Sequence, residues 1–477
     1  MAVENKNRKH KSDVVKKDSH KTFKVIATLV SLLIAVASYK IYEAITNVPD
    51  LPELDLNTWW GPDNKRTDKD TSLRPFRILF SDAMQEELNK QFDFYRRSKP
   101  PRSLNGTASS YGINSDVLKQ IVEYWQFQYK IKKREKFFNK YDHFKTNIQG
   151  LDIHYVHVKP KVGENVQVLP ILLLHGWPSS VREFYEVIPL LTAEKPEHDF
   201  VFEVIAPSLP GFAYSQATNK QGLCPYQIAI IMRNLMRRIG YEQYYIQGGD
   251  AGHVIASNMA TIFPNEVLGF HSNFPVNFSK MSVLTWILGG IWPSLIEDKY
   301  ADRMYPLKDK VEFLMEESGY VHIQGTKPDT VGIALQDSPV GLAAYLLDRF
   351  LVFTDPNNKH LPDAGISKFT LTNLLDNIML YWTTNSITTS MRLYKEIFSN
   401  SEMEAVLSRI PTPVPTWGLR FKNELFFQPE FTLRWKYPNL HGTTTVDFGG
   451  HYAAFEKPDE FADDVFLAVK SFRMNKL

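Results

Sequence analysis

The sequence predicts an α/β fold in which a parallel sheet is interrupted by a helical insertion. Two observations carry this. Short apolar runs ending in turn residues, ILLLHG (171–176), FEVIAP (202–207) and YYIQGGD (244–250), alternate with stretches of helical spacing such as PYQIAIIMRNLMRRIGY (225–241) and VIASNMATIF. Buried parallel strands read this way, and strands alternating with helices make a parallel sheet. The rhythm then stops. Residues 276–404 are helix-rich and aromatic without a clear strand, before PVPTWGLRF (413–421), TTTVDFGG (443–450) and PDEFADDVFLAVKSF restore it. A helical block inside such a sheet reads as a lid.

Taken in order, the chain opens on a basic tail (1–24) with Lys6, Arg8, Lys9, Lys11, Lys16, Lys17, Lys21 and Lys24, followed by the apolar stretch VIATLVSLLIAVAS. Continued to Ile45, this segment (25–45) has about 20 residues, enough for a helix to cross a hydrocarbon layer roughly 30 Å thick. Lys40 and Glu43 can snorkel at its far end. A single-pass membrane anchor is therefore expected. The rival is a cleaved signal peptide with Ala35-Val36-Ala37 at the cut, which the long basic leader disfavours. The lysine excess before the span predicts a cytosolic N-terminus and a luminal body. Residues 46–150 read as a covering arm with two helical patterns, SDAMQEELNKQFDFYRR, capped by Ser81, and residues 115–141. The first part of the sheet occupies 151–275, starting at LDIHYVHV and including VLGFHSNF (267–274); the lid is 276–404 and the sheet resumes over 405–477.

Composition bounds the function. At 477 residues and 43% hydrophobic, the chain can bury a large core. A net charge of +2 leaves no case for nucleic acid as a partner of the main body. Cys224 is the only cysteine, which excludes an intrachain disulfide framework and a multi-cysteine zinc site.

YYIQGGDAGHVIAS (244–257) has the form strand, tight glycine turn, helix. That is the shape of a nucleophile elbow, in which Gly-x-Nuc-x-Gly thrusts one side chain out of a sheet. Gly248, Gly249 and Gly252 supply the small residues and Asp250 takes the nucleophile's place. The bland alternative is an aspartate that caps the next helix. No Gly-x-Ser-x-Gly occurs in the chain. HGWPSS (175–180) follows the strand ILLL. His175, Gly176 and Pro178 thus mark a loop whose amide at Trp177 can join that of Ala251 in an oxyanion hole. GGHYAAFEKPDEF places His451 just after a strand, and GLRFKNELFF offers Glu424, with Glu430 a turn later, to orient it. The order Asp250, Glu424, His451 is the chain order of α/β-hydrolase triads. An aspartate nucleophile suits attack at saturated carbon. Its product is an alkyl ester that histidine-activated water can cleave, whereas a serine would leave an inert ether. The expected substrate is an epoxide or an alkyl halide. For a halide, the tryptophan wanted beside the nucleophile is replaced by Ala251.

These residues resemble the microsomal-type epoxide hydrolases, including the juvenile hormone epoxide hydrolases of insects. The likeness covers nearly the whole chain: WWGPDNK, LRPFRI (73–78), HFKTNIQGLDIHYVHVKP, LLLHGWPSS, PSLPGFAYS, TKPDTVGIALQDSPVGLAAYLLDRF, MLYWTT, WKYPNL and GGHYAAFEKP. It implies an α/β-hydrolase core with an inserted helical lid, an N-terminal arm and a single transmembrane anchor in the endoplasmic reticulum or microsomal membrane. It implies hydrolysis of a small lipophilic epoxide by water, with no metal or organic cofactor. By position, the resemblance makes Asp250 the nucleophile, His451 the base and Glu424 its partner, with Tyr320 (ESGYVHIQ) and Tyr394 (MRLYKE) donating to the epoxide oxygen. Mammalian members are described as facing the cytosol, against the face the lysines predict. The family elbow usually reads Gly-Gly-Asp-Trp-Gly-Ser; here Ala251 and His253 stand in place of the tryptophan and the serine. Loss of the indole wall predicts altered substrate preference. The alternative is a relative that binds hydrophobic ligands without turning them over. His253 is expected on the helix surface, or else as a titratable group near the elbow.

Overall fold

The computed structural model describes residues 23–40, 42–43, 47–65, 70–292 and 298–474, and the chain divides into two units, Met1–Pro49 and Asp50–Leu477. In the first unit the helix Phe23–Lys40 has a mean hydropathy of 1.7 and exposes its side chains along its whole length. At 1.5 Å per residue it rises about 27 Å, long and apolar enough to cross a bilayer. Lys40 pairs with Glu43 at 2.7 Å. The basic tail before Lys24 and the end of the expected anchor at Ile45 lie outside the described residues.

Among the described residues, the second unit is built on a nine-stranded sheet. Its strands are β1 (Arg74–Phe76), β2 (Asp142–Ile148), β3 (Leu151–Val158), β4 (Gln167–Leu174), β5 (Phe200–Pro207), β6 (Tyr244–Gly248), β7 (Val267–Ser272), β8 (Thr416–Phe421) and β9 (Leu440–Val446), in spatial order β1-β2-β3-β5-β4-β6-β7-β8-β9. From β5 to β9 every pairing is parallel, and β1, β2 and β3 form an antiparallel edge. The parallel strands are the apolar runs of the sequence. In β4, Ile171 to Leu174 are fully buried, as strands covered on both faces must be.

Two strands escape a reading of hydropathy. The arm contributes β1 and β2, yet β2 (DHFKTNI) buries the polar His143 and Thr146 along with Ile148, so no apolar alternation announces it. Gln149 and Gly150, both at positive φ, make the two-residue turn that pairs Ile148 with Leu151. The single helical pattern of 115–141 is split into Ser115–Phe127 and Ile131–Phe138. Between them Tyr129 turns inward and donates to Asp376 at 2.9 Å. Ser81 caps Asp82–Arg97 as expected, accepting from the Met84 amide at 3.1 Å.

The helices between β7 and β8, from Lys280–Ile291 to Ser401–Arg409, form the lid. Buried Asp376, on lid helix Leu371–Thr384, joins three parts of the unit. It accepts from Arg134 of the arm at 2.8 Å and from Arg182, just beyond β4, at 2.9 Å.

Candidate active site

The site is assembled at the carboxyl ends of the parallel strands. β6 ends at Gly248, and Asp250 begins helix Ala251–Ile262 with φ 50° and ψ −127°, a backbone state that side-chain-bearing residues adopt only under constraint. The constraint is packing. A Cβ on Gly252 would strike the Leu174 carbonyl of β4, and one on Gly248 would strike the carbonyl of Gly252. The helix therefore springs from the strand with no room for anything but glycine, and the carboxylate is thrust above the sheet beside a helix N-terminus.

Asp250 Oδ1 accepts the Trp177 amide at 2.9 Å, and the Ala251 amide also donates to the carboxylate. Oδ2 lies 3.3 Å from His451 Nε2. On the other side of the ring, His451 Nδ1 meets Glu424 Oε1 at 2.6 Å. Glu424 Oε1 also accepts the Leu425 amide at 2.7 Å. Of the two acids that the sequence offers, Glu424 reaches the histidine, while Glu430 accepts from Thr443 at 2.8 Å. Burial by itself would depress the His451 imidazole, but the Glu424 and Asp250 carboxylates hold it well above its usual value of 6.5. Burial alone would raise Asp250; hydrogen bonds from His451, Trp177 and Ala251 bring it below the usual carboxylate value. The resting pair is an imidazolium against a carboxylate.

The lid closes over this pair with aromatic rings. Tyr320 stacks on Trp177 with centroids 5.3 Å apart, Tyr394 meets the same indole edge-on at 5.7 Å, and the two tyrosines are 5.8 Å apart. The two hydroxyls interact by a hydrogen bond in which either can donate. Burial and the nearby Asp250 charge push both phenols up, so both remain proton donors. His175 stands behind the loop: Nδ1 donates to the Gly176 carbonyl at 2.9 Å and Nε2 accepts the Leu209 amide at 3.1 Å. Burial pushes His175 down to about 4, so it is a neutral strut. The Pro178 carbonyl accepts from Asn377 of the lid at 2.7 Å.

His253 corrects the sequence reading. It is neither on the helix surface nor titratable near neutrality. Its ring is buried, within 2.8 Å of Ser272 Oγ and 3.1 Å of both the Val276 carbonyl and the Tyr437 hydroxyl, and burial pushes it down to about 4. It fastens the elbow helix to β7 and the chain that follows. Ala251 is half-buried against the core, so the amide remains where the indole is gone.

Four residues with a bearing on the site were not singled out in the sequence. Glu183 is buried in the short helix Val181–Phe184, accepts from Ser179 Oγ at 2.6 Å, and is pushed up by burial to about 7. With Asn273 and Tyr452 it borders a cavity of ≈ 10 Å³ that also touches Asp250 and His451, about the space that admits one water. Glu456, pushed up by burial to about 8, accepts the amides of Gly450 and Tyr452 at 3.1 and 2.9 Å and so clamps the loop that carries His451. The larger grooves, of ≈ 1000 Å³ beside Asn57 and Arg238 and of ≈ 530 Å³ beside Pro210 and Glu396, contain none of the triad.

Fold and site together define an α/β hydrolase with a helical cap and a carboxylate in the nucleophile's seat. Residues 73–184 match the family model described as "Epoxide hydrolase N terminus", and residues 170–295 match "alpha/beta hydrolase fold". The juvenile hormone epoxide hydrolase of Bombyx mori is 48% identical over 93% of this chain and 96% of its own length; epoxide hydrolase 1 of Oryctolagus cuniculus is 42% identical over 91% and 97%. The crystal structure of the silkworm enzyme superposes with a TM-score of 0.86, covering 89% of this chain and all of that one. An Aspergillus niger epoxide hydrolase, 24% identical, shares the fold with a TM-score of 0.69 over 85% of this chain and 98% of its own. The chain belongs to the epoxide hydrolase family, among relatives of the microsomal and juvenile hormone type.

Proposed function

We propose that the protein hydrolyses lipophilic epoxides to vicinal diols through an ester on Asp250. One observation carries this reading: Asp250 stands between the Trp177 amide and a Glu424-backed His451, in a site roofed by paired tyrosines. Oδ1 occupies the amide hole, which leaves Oδ2 as the attacking atom. It bonds to an epoxide carbon, the carbon–oxygen bond breaks, and the opening alkoxide takes a proton from the Tyr320–Tyr394 pair. Ester formation removes the Asp250 charge, one of the influences that hold His451 protonated, so the ring gives up its proton, which restores the phenol that served the alkoxide, and becomes neutral and basic. His451 then draws a proton from water. The hydroxide adds to the ester carbonyl, the oxyanion is received by the amides of Trp177 and Ala251, and collapse releases the diol and regenerates the carboxylate.

The substrates this reading favours are apolar epoxides of the juvenile hormone, fatty-acid or foreign-compound kind, met at the endoplasmic reticulum or microsomal membrane through a single-pass anchor. The second reading, a binder without turnover, rests on Ala251 alone and is weaker, because the amide that the reaction needs does not depend on the side chain. The test is His451→Ala with a panel of epoxides followed by intact-mass spectrometry. A mass gain equal to the epoxide, with diol formation slowed about 10²–10⁴-fold, is expected. Diol production by Asp250→Ala, or no diol from any epoxide with the folded wild-type protein, would sink the scheme.

A further inference from the structure

Helix Lys280–Ile291 is built inside out. Ser282, Thr285 and Gly289 are buried, while Val283, Leu284, Ile287, Leu288, Ile291 and the following Trp292 are exposed. Those six recur at spacings of one and three, which places them on a single helical face. The only charge on the helix, Lys280, sits at its first residue. A helix bordering water orients the other way round, and a contiguous apolar face of this kind marks a contact surface.

Two observations bear on what covers it. The same chain carries the apolar helix Phe23–Lys40, long and apolar enough to cross a bilayer, so a lipid surface is the apolar partner that the chain's own sequence supplies. The patch also lies at the active-site end. Exposed Phe278, just before the helix, has its ring 5.5 Å from Phe426; Phe426 is 6.2 Å from Phe274, and Phe274 meets His451 edge-on at 5.5 Å. Three ring contacts thus separate the patch from the histidine of the site. At 1.5 Å per residue the helix rises only about 18 Å, too short to span roughly 30 Å of hydrocarbon. It can lie in the interface plane, with Trp292 at the level where tryptophan is favoured.

We propose that this face seats in the surface of a lipid bilayer as a second membrane contact, so that lipophilic epoxides pass from lipid into the site beside Phe278. The proposal rests on the reading of the chain as a membrane-anchored epoxide hydrolase. Its test uses the full chain in phosphatidylcholine vesicles, with an environment-sensitive fluorophore on Ile287→Cys and, as control, on Glu164→Cys, an exposed position before β4 at the opposite end of the sheet. The native Cys224 is buried and its thiol is pushed up to about 12 by burial, so it competes little for label. A blue shift and quenching by nitroxide lipid at 287, with iodide quenching only at 164, is the expected result. Iodide quenching at 287 equal to that at 164, in protein that floats with the vesicles, overturns the proposal and leaves the anchor standing. Shielding of 287 that needs no vesicles and grows with protein concentration means that a second copy covers the face, which also overturns it. Failure to float removes the anchor and the proposal together. This readout needs no turnover. In an active enzyme, Ile287→Lys should raise KM for a vesicle-borne epoxide and leave kcat and the KM of a water-soluble epoxide unchanged; an unchanged KM for the vesicle-borne substrate overturns delivery from lipid.

Discussion

Glu183 shows how much of the site lives in single side chains. Its carboxyl borders the small cavity beside Asp250 and His451, where the proposed second step needs a water, and burial pushes it up to about 7. Glu183→Gln should therefore slow ester hydrolysis about tenfold, the worth of one hydrogen bond of about 1.4 kcal/mol, with ester formation little changed. Rapid-quench separation of the two steps checks this, and equal slowing of both would mean a general packing defect. His451 has a consequence for stability. Its folded value is raised above 6.5, so the native state binds the proton more tightly than the unfolded chain. That contribution is full below pH 6.5 and is lost as pH rises through the folded value. Tm should thus fall with rising pH above about 6.5, and less steeply in His451→Gln, as calorimetry would show. Asp250, His451 and Glu424 were legible because the motifs around them are local. Glu183 was not, because one more acid in VREF looks like solvated surface until packing buries it.

Among elements, the elbow is the one that sequence describes best. Glycine at 248 and 252 is demanded by contacts with Gly252 and Leu174, and the spacing alone announces it. Gly252→Ala should destabilise the fold by about 1–3 kcal/mol through overpacking and reduce activity by tilting Asp250 away from the amides. Gly163→Ala, which meets only Glu194 Oε1 at 3.8 Å, is the control that should leave urea denaturation unchanged. Strand β2 is the opposite case. Two of its buried residues, His143 and Thr146, are polar, and His143 is satisfied from the neighbouring strand: its Nδ1 lies 2.8 Å from His154 Nε2, a contact no hydropathy pattern encodes. The break at Tyr129 is likewise set by Asp376, 247 residues further on.

For the second unit as a whole, Asp376 is the tie between arm, core and lid. Arg134, Arg182 and Tyr129 all converge on it. Asp376→Ala strands the buried Arg182 guanidinium beside Glu186 alone and should cost about 3–5 kcal/mol, the penalty for breaking a buried pair from one side. A drop in Tm with loss of lid protection in hydrogen exchange is expected; an unchanged Tm would mean that the three parts hold together by apolar packing alone.

By itself the sequence determined the strand–helix rhythm, the lid insertion, the aspartate elbow and the order Asp250, Glu424, His451. Each is built from motifs written in neighbouring residues. Only the tertiary structure decided that Glu183 faces the same small cavity as Asp250 and His451, that His253 is a buried fastener, and that an apolar helix turns outward. Those depend on which distant segments pack together, and burial, not residue type, sets what such a side chain can do.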